Sequence, residues 1–192
     1  MILTVDIGNT ATTMGLYTPE GTLRFRGALK TDKNKTQDQL AIDLLDMFHL
    51  YQADIGEVTG GVISSVVPPM THAMAGAIRQ LSGVRPMIVG PGVKTGMNIL
   101  AEVHNQLGAD IVASSVAALQ KYPQPIIVID MGTATTLSYL GNNTYEGCVI
   151  IPGVRIAVEA LSGRAAELPH ISIEGPPSVF GRSTIDAMPS GV

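Results

Sequence analysis

Residues 5–13 read Val5-Asp6-Ile7-Gly8-Asn9-Thr10-Ala11-Thr12-Thr13, and residues 129–136 nearly repeat them as Ile129-Asp130-Met131-Gly132-Thr133-Ala134-Thr135-Thr136. Each stretch is an apolar strand that ends in an Asp-x-Gly turn rich in hydroxyl groups. Glycine lets the backbone turn sharply, so successive amides can face an anion, and a strand-end carboxylate can hold a metal with its waters. Two such turns facing each other would bind a nucleotide triphosphate between two domains. Two unrelated turns are the alternative, which the shared Thr-Ala-Thr-Thr tail disfavours.

The composition indicates a well-packed globular protein in a reducing compartment. Of the 192 residues, 45% are apolar and 15% are charged, and the net charge is −4. No Lys/Arg cluster occurs, which argues against nucleic acid and anionic membranes as partners. The single cysteine, Cys148, excludes an internal disulfide framework. No apolar run approaches the ~20 residues that cross a bilayer, and Asp6 disfavours a signal peptide, so we predict a cytoplasmic protein.

The order of predicted elements restarts in the second half of the chain. A strand, an Asp-x-Gly turn, a hairpin and a helix occur first, and the helix has Thr36 and Gln39 at capping-box spacing. The same order begins again with a strand at Ile126. This pattern predicts two α/β domains, 1–115 with the first turn and 116–192 with the second turn.

The second copy of the pattern stops early. The helix that opens near Ser183 is followed by only a few residues, so we predict a truncated second domain. Such a domain would expose apolar surface around Val149, Ile150, Ile151 and Val154, which association with another chain would cover.

Several collinear motifs across the whole chain resemble the type III pantothenate kinases. The resemblance implies the duplicated ribonuclease-H-like fold, or actin-like ATPase fold, of the acetate and sugar kinase, Hsp70 and actin superfamily. It also implies a homodimer that uses ATP, Mg²⁺ and a monovalent cation (K⁺ or NH₄⁺) to phosphorylate pantothenate, the first step towards coenzyme A. The motifs are Asp6-Ile7-Gly8-Asn9-Thr10, Ser64-Ser65-Val66-Val67-Pro68-Pro69, Pro91-Gly92-Val93-Lys94-Thr95-Gly96, Gly108-Ala109-Asp110, Asp130-Met131-Gly132-Thr133-Ala134-Thr135-Thr136, Pro152-Gly153 and Gly181-x-x-Thr184.

The resemblance assigns the nucleotide site to the two turns. Asp6 would hold Mg²⁺ through water, and Asp130 would ligate the monovalent cation. Ordinary turn formation is the alternative for both aspartates, but a carboxylate that closes an apolar strand twice favours function. The residues that would bind ATP are Asp6, Ile7, Gly8, Asn9, Thr10, Ala11, Thr12, Thr13 and Thr133.

The resemblance also assigns the acceptor site. Asp110 would be the catalytic base that takes the proton of the substrate hydroxyl, and Thr184 would contact pantothenate across the dimer. The residues that would bind pantothenate are Gly108, Ala109, Asp110 and Thr184. The alternatives are that Asp110 stabilises a helix start through the helix dipole, and that Thr184 caps a helix. The spacing of the four histidines does not suggest zinc.

Three positions on the acceptor side depart from the family pattern, while the nucleotide side is intact. Ile111 stands where the family has an arginine, whose fork of donors suits a carboxylate. Ala101 stands where the family has a tyrosine, and His104 replaces a proline. The leading hypothesis is therefore a pantothenate kinase-like phosphotransferase with a divergent acceptor pocket. The alternatives are a catalytically weak, nucleotide-binding paralogue with a regulatory or structural role, and an exopolyphosphatase-like hydrolase.

Overall fold

The computed structural model describes residues 1–90, 93–100, 107–165, 167–176 and 178–191. Its contacts divide the chain into two compact units, Met1–Lys121 and Tyr122–Val192. Both units combine strands with helices, so the predicted mixed α/β class is confirmed.

The first unit contains a five-stranded mixed sheet. Its strands are β1 (Ile2–Ile7), β2 (Ala11–Tyr17), β3 (Leu23–Lys30), β4 (Gly60–Ser65) and β5 (Met87–Ile88). They lie in the order β3-β2-β1-β4-β5, with β1 antiparallel to β2 and parallel to β4. Because β1 is central, the residue that ends it lies at the middle of the sheet edge.

Two helices and the sheet together form the core of the first unit. Helix α1 (Gln37–Leu50) and helix α2 (Pro68–Ser82) pack against each other, and a 3-10 turn, Ile55–Glu57, lies between them in the chain. The predicted capping box at the start of α1 is confirmed, because Gln39 N–H donates to the Thr36 hydroxyl and Thr36 N–H donates to the Gln39 side chain. The buried cluster includes Leu3, Val5, Ile7, Met14, Leu16, Phe25, Leu40, Leu44, Phe48, Ile63, Met70, Met74 and Ile78.

A third helix completes the first unit. A two-residue strand, β6 (Asn98–Ile99), precedes helix α3 (Ala109–Lys121), which contacts β4. The predicted boundary between residues 115 and 116 falls inside α3, whereas the compact units divide after Lys121. The reason is that α3 is one continuous helix, and the Tyr122-Pro123 break comes only after it.

The second unit contains an antiparallel meander and two helices. Its strands are β7 (Ile126–Met131), β8 (Ala134–Gly141) and β9 (Thr144–Pro152). The β8–β9 turn is formed by two asparagines, Asn142 and Asn143, with φ of 50° and 56°. Positive φ at both turn residues is the geometry that a two-residue hairpin requires, and asparagine tolerates it. The helices are α4 (Val154–Arg164) and α5 (Thr184–Ser190).

One region of the β7–β9 sheet exposes apolar side chains. Val149, Ile150 and Ile151 are all exposed, as predicted, whereas Val154 is half-buried because it begins α4. Two statements about this surface stay predictions. One is that truncation of the second domain causes the exposure, and the other is that another chain covers it. In the part of the chain that the structure describes, no helix has both the length and the apolar character needed to cross a bilayer.

Candidate functional site

The first Asp-x-Gly turn joins β1 to β2 and is closed by its glycine. Gly8 N–H donates to the carbonyl oxygen of Ala11 over 3.0 Å. A Cβ at Gly8 would lie 3.1 Å from the same oxygen, so a side chain here would press on the turn. Asp6, Asn9 and Thr10 are exposed, while Ile7 is buried in the core. The turn therefore presents its polar residues outward from a fixed backbone.

A threonine outside the motif holds this turn in place. The Thr31 hydroxyl donates to Gly8 O over 2.7 Å, and Thr31 N–H donates to Thr10 O over 3.0 Å. Because the Thr31 hydrogen is committed to Gly8, the hydroxyl of Thr12, 3.0 Å away, is the donor between the two threonines. Thr12 is buried, and its hydroxyl supports the turn from within; Thr13 is half-buried.

Sequence reasoning did not identify Thr31. It lies immediately after β3, whose last residue, Lys30, pairs with Ala11 at the start of β2. That register brings Thr31 beside the turn, although 21 residues separate it from Thr10 in the chain. The only signal would have been the pairing of β2 with β3, whose register the sequence does not specify.

The second Asp-x-Gly turn joins β7 to β8 and has the same closure. Gly132 N–H donates to Ala134 O over 3.0 Å, as Gly8 N–H does to Ala11 O. The second turn is one residue shorter, since no counterpart of Asn9 separates glycine from threonine. Asp130 and Thr133 are exposed. The repeated sequence thus gives a repeated hydrogen bond between glycine and alanine.

The start of α4 lies directly against the second turn. Gly153 N–H donates to Thr133 O over 3.1 Å. A Cβ at Gly153 would overlap the carbonyl oxygens of Gly132 and Thr133, which are backbone atoms and cannot rotate away. The Pro152-Gly153 motif therefore has a physical reason, because only glycine lets α4 approach the turn so closely.

The predicted catalytic base lies at the start of α3. Asp110 Oδ1 accepts a hydrogen bond of 2.8 Å from Ile111 N–H. A Cβ at Gly108 would overlap this carboxylate oxygen and would lie 3.7 Å from a methyl group of Val66. Gly108 therefore leaves room for the Asp110 carboxylate beside the end of β4. The hydrogen bond from an amide in the first helical turn of α3 also fits the alternative, in which Asp110 stabilises the start of this helix.

A short chain of contacts links Asp110 to the first turn. Val66 follows β4, and its N–H donates to Ile7 O over 3.0 Å. Ile7 in turn follows Asp6 on β1. Asp6 and Asp110, which are 104 residues apart in sequence, consequently lie at the same edge of the first sheet.

A cavity of ≈470 Å³ lies next to the start of α3. Ala109 and Val112 line one side of it, and the segment 93–99 with the exposed Lys94 lines another. Ala101 and His104, the other two departures from the family pattern, lie outside the described residues.

Thr184 begins α5 in the second unit but does not cap it. The N-cap is Ser183, whose hydroxyl accepts a 3.2 Å hydrogen bond from Asp186 N–H. The capping alternative for Thr184 is therefore wrong. Thr184 instead lines a cavity of ≈590 Å³ together with Gly181 and Met188.

The described residues contain no group of three or more His, Cys, Asp or Glu side chains placed to hold a metal ion. Asp6 and Asp130 each offer one exposed carboxylate at a strand end. A single carboxylate such as that of Asp6 fits Mg²⁺, which is commonly held by one or two carboxylates, phosphate oxygens and water rather than by an all-protein cage.

Comparison with protein families and curated relatives gives one consistent match. The model of the type III pantothenate kinase family matches residues 2–192. A type III pantothenate kinase from Listeria welshimeri is 40% identical over 193 residues, covering 100% of this chain and 74% of the relative. One from Halalkalibacterium halodurans is 43% identical over 193 residues, covering 100% and 76%.

Two solved structures resemble the fold. A Campylobacter jejuni protein assigned to the Baf family of transcriptional activators gives a TM-score of 0.57 at 18% identity, covering 99% of this chain and 73% of that one. A Sinorhizobium meliloti protein described as a 2-dehydro-3-deoxygalactonokinase gives a TM-score of 0.51 at 12% identity, covering 88% and 58%. At these identities the likeness concerns the fold alone.

Proposed function

Because the chain belongs to the type III pantothenate kinase family, we propose that its Asp-x-Gly turns hold ATP and that Asp110 activates the pantothenate hydroxyl. Family membership makes the chain a phosphotransferase that phosphorylates pantothenate with ATP in coenzyme A biosynthesis. The proposal assigns the steps of that reaction to individual residues.

The observation that carries the assignment is the contact path from Asp6 to Asp110. The hydrogen bond from Val66 N–H to Ile7 O, and the packing of Gly108 beside Val66, bring both carboxylates to one sheet edge. Phosphoryl transfer depends on positioning and charge neutralisation, with one carboxylate to orient the nucleophile. The placement of Asp6 and Asp110 at one edge supports a metal-holding role for the first carboxylate and a proton-accepting role for the second.

In the proposed mechanism, Asp6 holds Mg²⁺ through water, and the amides and hydroxyls around Asn9 and Thr10 bind phosphate oxygens. Bound Mg²⁺ neutralises charge on the phosphates. Asp110 accepts the proton of the pantothenate hydroxyl as that oxygen bonds to the γ-phosphorus and the bond to ADP breaks. Thr133 contacts phosphate from the second turn, and Asp130 ligates the monovalent cation.

The remaining assignments extend the proposal beyond the phosphate site. Gly108 and Ala109 line the pantothenate site next to Asp110. Thr184 contacts pantothenate across a homodimer. The cytoplasm remains the predicted location.

An ATP-consumption assay with and without pantothenate tests the proposed function. We expect consumption that depends on pantothenate and yields 4′-phosphopantothenate. Equal consumption without pantothenate would favour the hydrolase alternative. Nucleotide binding without consumption would favour the weak paralogue.

Replacing Asp6 with asparagine should lower the affinity for Mg²⁺·ATP by about tenfold to a hundredfold, because a hydrogen bond to a charged group contributes about 1.5–3 kcal/mol. The melting temperature without ligand should stay near that of the parent, since Asp6 is exposed. Calorimetric titration with Mg²⁺ and with EDTA measures the effect. Asp46→Asn, which removes an exposed carboxylate from α1, is the control. Unchanged Mg²⁺·ATP affinity in Asp6→Asn would refute the metal role.

Replacing Ile111 with arginine, together with Ala101→Tyr, should lower the KM for pantothenate by about tenfold or more. The guanidinium restores a fork of donors for the carboxylate, and one charged hydrogen bond contributes about 1.5–3 kcal/mol. Steady-state kinetics at saturating ATP measure the change. Ala113→Arg, at an exposed position of the same helix, is the control for added charge. An unchanged KM in the double variant would mean that other residues recognise the acceptor.

A further inference from the structure

The two Asp-x-Gly turns are held differently by the residue that follows the third strand of each unit. In the second turn this residue is Gly153, after β9, and its N–H donates to Thr133 O over 3.1 Å. In the first turn it is Thr31, after β3, and its N–H donates to Thr10 O over 3.0 Å. Thr31 also has a hydroxyl, which donates to Gly8 O over 2.7 Å and has no counterpart in Gly153. The backbone contact is therefore common to both turns, whereas the hydroxyl contact belongs to the first turn alone.

The hydroxyl contact fixes the orientation of the peptide between Gly8 and Asn9. This peptide is trans and planar, so its carbonyl oxygen and its N–H point in opposite directions. Gly8 O is directed at the buried Thr31, and Asn9 N–H is consequently directed away from it. Asn9 is exposed, and its N–H donates to no acceptor within the described part of the chain. The turn therefore presents a backbone donor whose direction Thr31 sets from the buried side.

Both hydrogen-bonding capacities of the Thr31 hydroxyl are used to keep this arrangement. A carbonyl oxygen only accepts, so the hydroxyl must donate to Gly8 O and accept from the Thr12 hydroxyl, 3.0 Å away. Thr12 is 2% exposed and Thr31 is 9% exposed, so solvent competes little for these hydrogen bonds. Glycine rotates more freely than other residues, which makes an external contact necessary to hold the peptide at Gly8 in one orientation.

We propose that Thr31 is a positioning residue for the nucleotide, whose hydroxyl keeps Asn9 N–H directed at a phosphate oxygen of ATP. The inference rests on the proposed function, because it requires the first turn to bind phosphate. Backbone N–H groups in turns form anion sites, and a hydrogen bond to a charged oxygen is stronger than one to a neutral oxygen. Thr31 does not touch the phosphate and acts only through the peptide between Gly8 and Asn9.

Thr31→Val tests the proposal, because valine has the shape of threonine without the hydroxyl. The affinity for ATP should fall about tenfold, through the loss of one hydrogen bond to a charged group. The fall should be the same with Mg²⁺ and in EDTA, since the lost contact joins an amide to phosphate and leaves the metal untouched. Thr31→Ser keeps the hydroxyl and should retain most of the parental affinity. Calorimetric titration measures all three proteins.

The amide signal of Asn9 in ¹⁵N NMR spectra gives a readout that a merely structural role of Thr31 would not change. Addition of ATP should shift this signal in the parent protein and in Thr31→Ser, because the N–H then donates to phosphate. The shift should be much smaller in Thr31→Val at the same saturation with ATP.

Thr71→Val is the matched control. Thr71 is 8% exposed, and its hydroxyl also donates to a backbone carbonyl, that of Val67, over 3.2 Å near the start of α2. The same chemical change at similar burial should leave the ATP affinity and the Asn9 signal at their parental values. Equal losses of affinity in the two valine variants would refute the specific role of Thr31, as would an equal loss in Thr31→Ser.

The Asn9 signal also separates this inference from the proposed function. If ATP shifts the signal equally in the parent and in Thr31→Val, the first turn binds phosphate without the Thr31 hydroxyl, and only the inference fails. If ATP leaves the signal unchanged in the parent, the first turn does not bind phosphate, and the proposed nucleotide site fails together with the inference.

Discussion

Replacing Asp110 with asparagine lowers turnover with pantothenate by about 10²- to 10⁴-fold, the usual contribution of a positioned general base. Asparagine keeps the shape of the side chain but cannot accept the proton of the substrate hydroxyl. The affinity for Mg²⁺·ATP should stay nearly unchanged, because Asp110 lies at the start of α3 and is not part of the first Asp-x-Gly turn. Steady-state turnover and calorimetric ATP titration measure the two effects.

Asp38→Asn is the control that separates catalysis from helix stabilisation. Asp38 and Asp110 are both the second residue of their helices, α1 and α3, so each interacts with a helix dipole in the same way. Both substitutions should lower stability by a similar amount, about 0.3–1 kcal/mol. Only Asp110→Asn should lower turnover. Parental turnover in Asp110→Asn would reduce Asp110 to a helix stabiliser.

The local features of the fold could be predicted because their determinants are contiguous in the sequence. An apolar run followed by Asp-x-Gly gives β1 and β7 with their turns, and Thr36 with Gln39 gives the start of α1. In each case the residues that decide the structure lie within a few positions of one another. The physical reason for each element could therefore be stated before the structure was known.

Features that depend on strand register could not be predicted in this way. Thr31 reaches the first turn only because β3 pairs with β2 over its full length. The C-terminal end of β4 is likewise set by the element that follows it. The strand ends at Ser65 because Val67 is the N-cap of α2, whose first residue is Pro68.

The sequence also could not decide which of two neighbouring hydroxyl residues caps α5. Ser183 and Thr184 both carry a hydroxyl at the start of a helix, and both types are good caps. The backbone at Ser183 is extended, with φ −127° and ψ 164°, which lets its side chain accept from Asp186 N–H. Thr184 is already inside the helix, so its hydroxyl remains available for the proposed contact with pantothenate.

Replacing Gly153 with alanine should lower kcat/KM for ATP by about 10²-fold, the cost of misplacing a catalytic group by about 1 Å. The added Cβ would overlap the carbonyl oxygens of Gly132 and Thr133, so the start of α4 and the second turn must move apart. That movement breaks the hydrogen bond from Gly153 N–H to Thr133 O and displaces Thr133 from the phosphate. Steady-state kinetics with varied ATP, at saturating pantothenate, measure the loss.

Gly163→Ala, in the same helix, is the matched control for this prediction. A Cβ at Gly163 would have no atom within 4 Å, and the residue lies near the end of α4. Alanine is favoured over glycine in a helix by up to about 1 kcal/mol, so this variant should keep parental kinetics and melt at a slightly higher temperature. The two variants make the same chemical change and differ only in what the new methyl group meets. Parental ATP kinetics in Gly153→Ala would therefore show that the second turn does not contribute to ATP binding through its contact with α4.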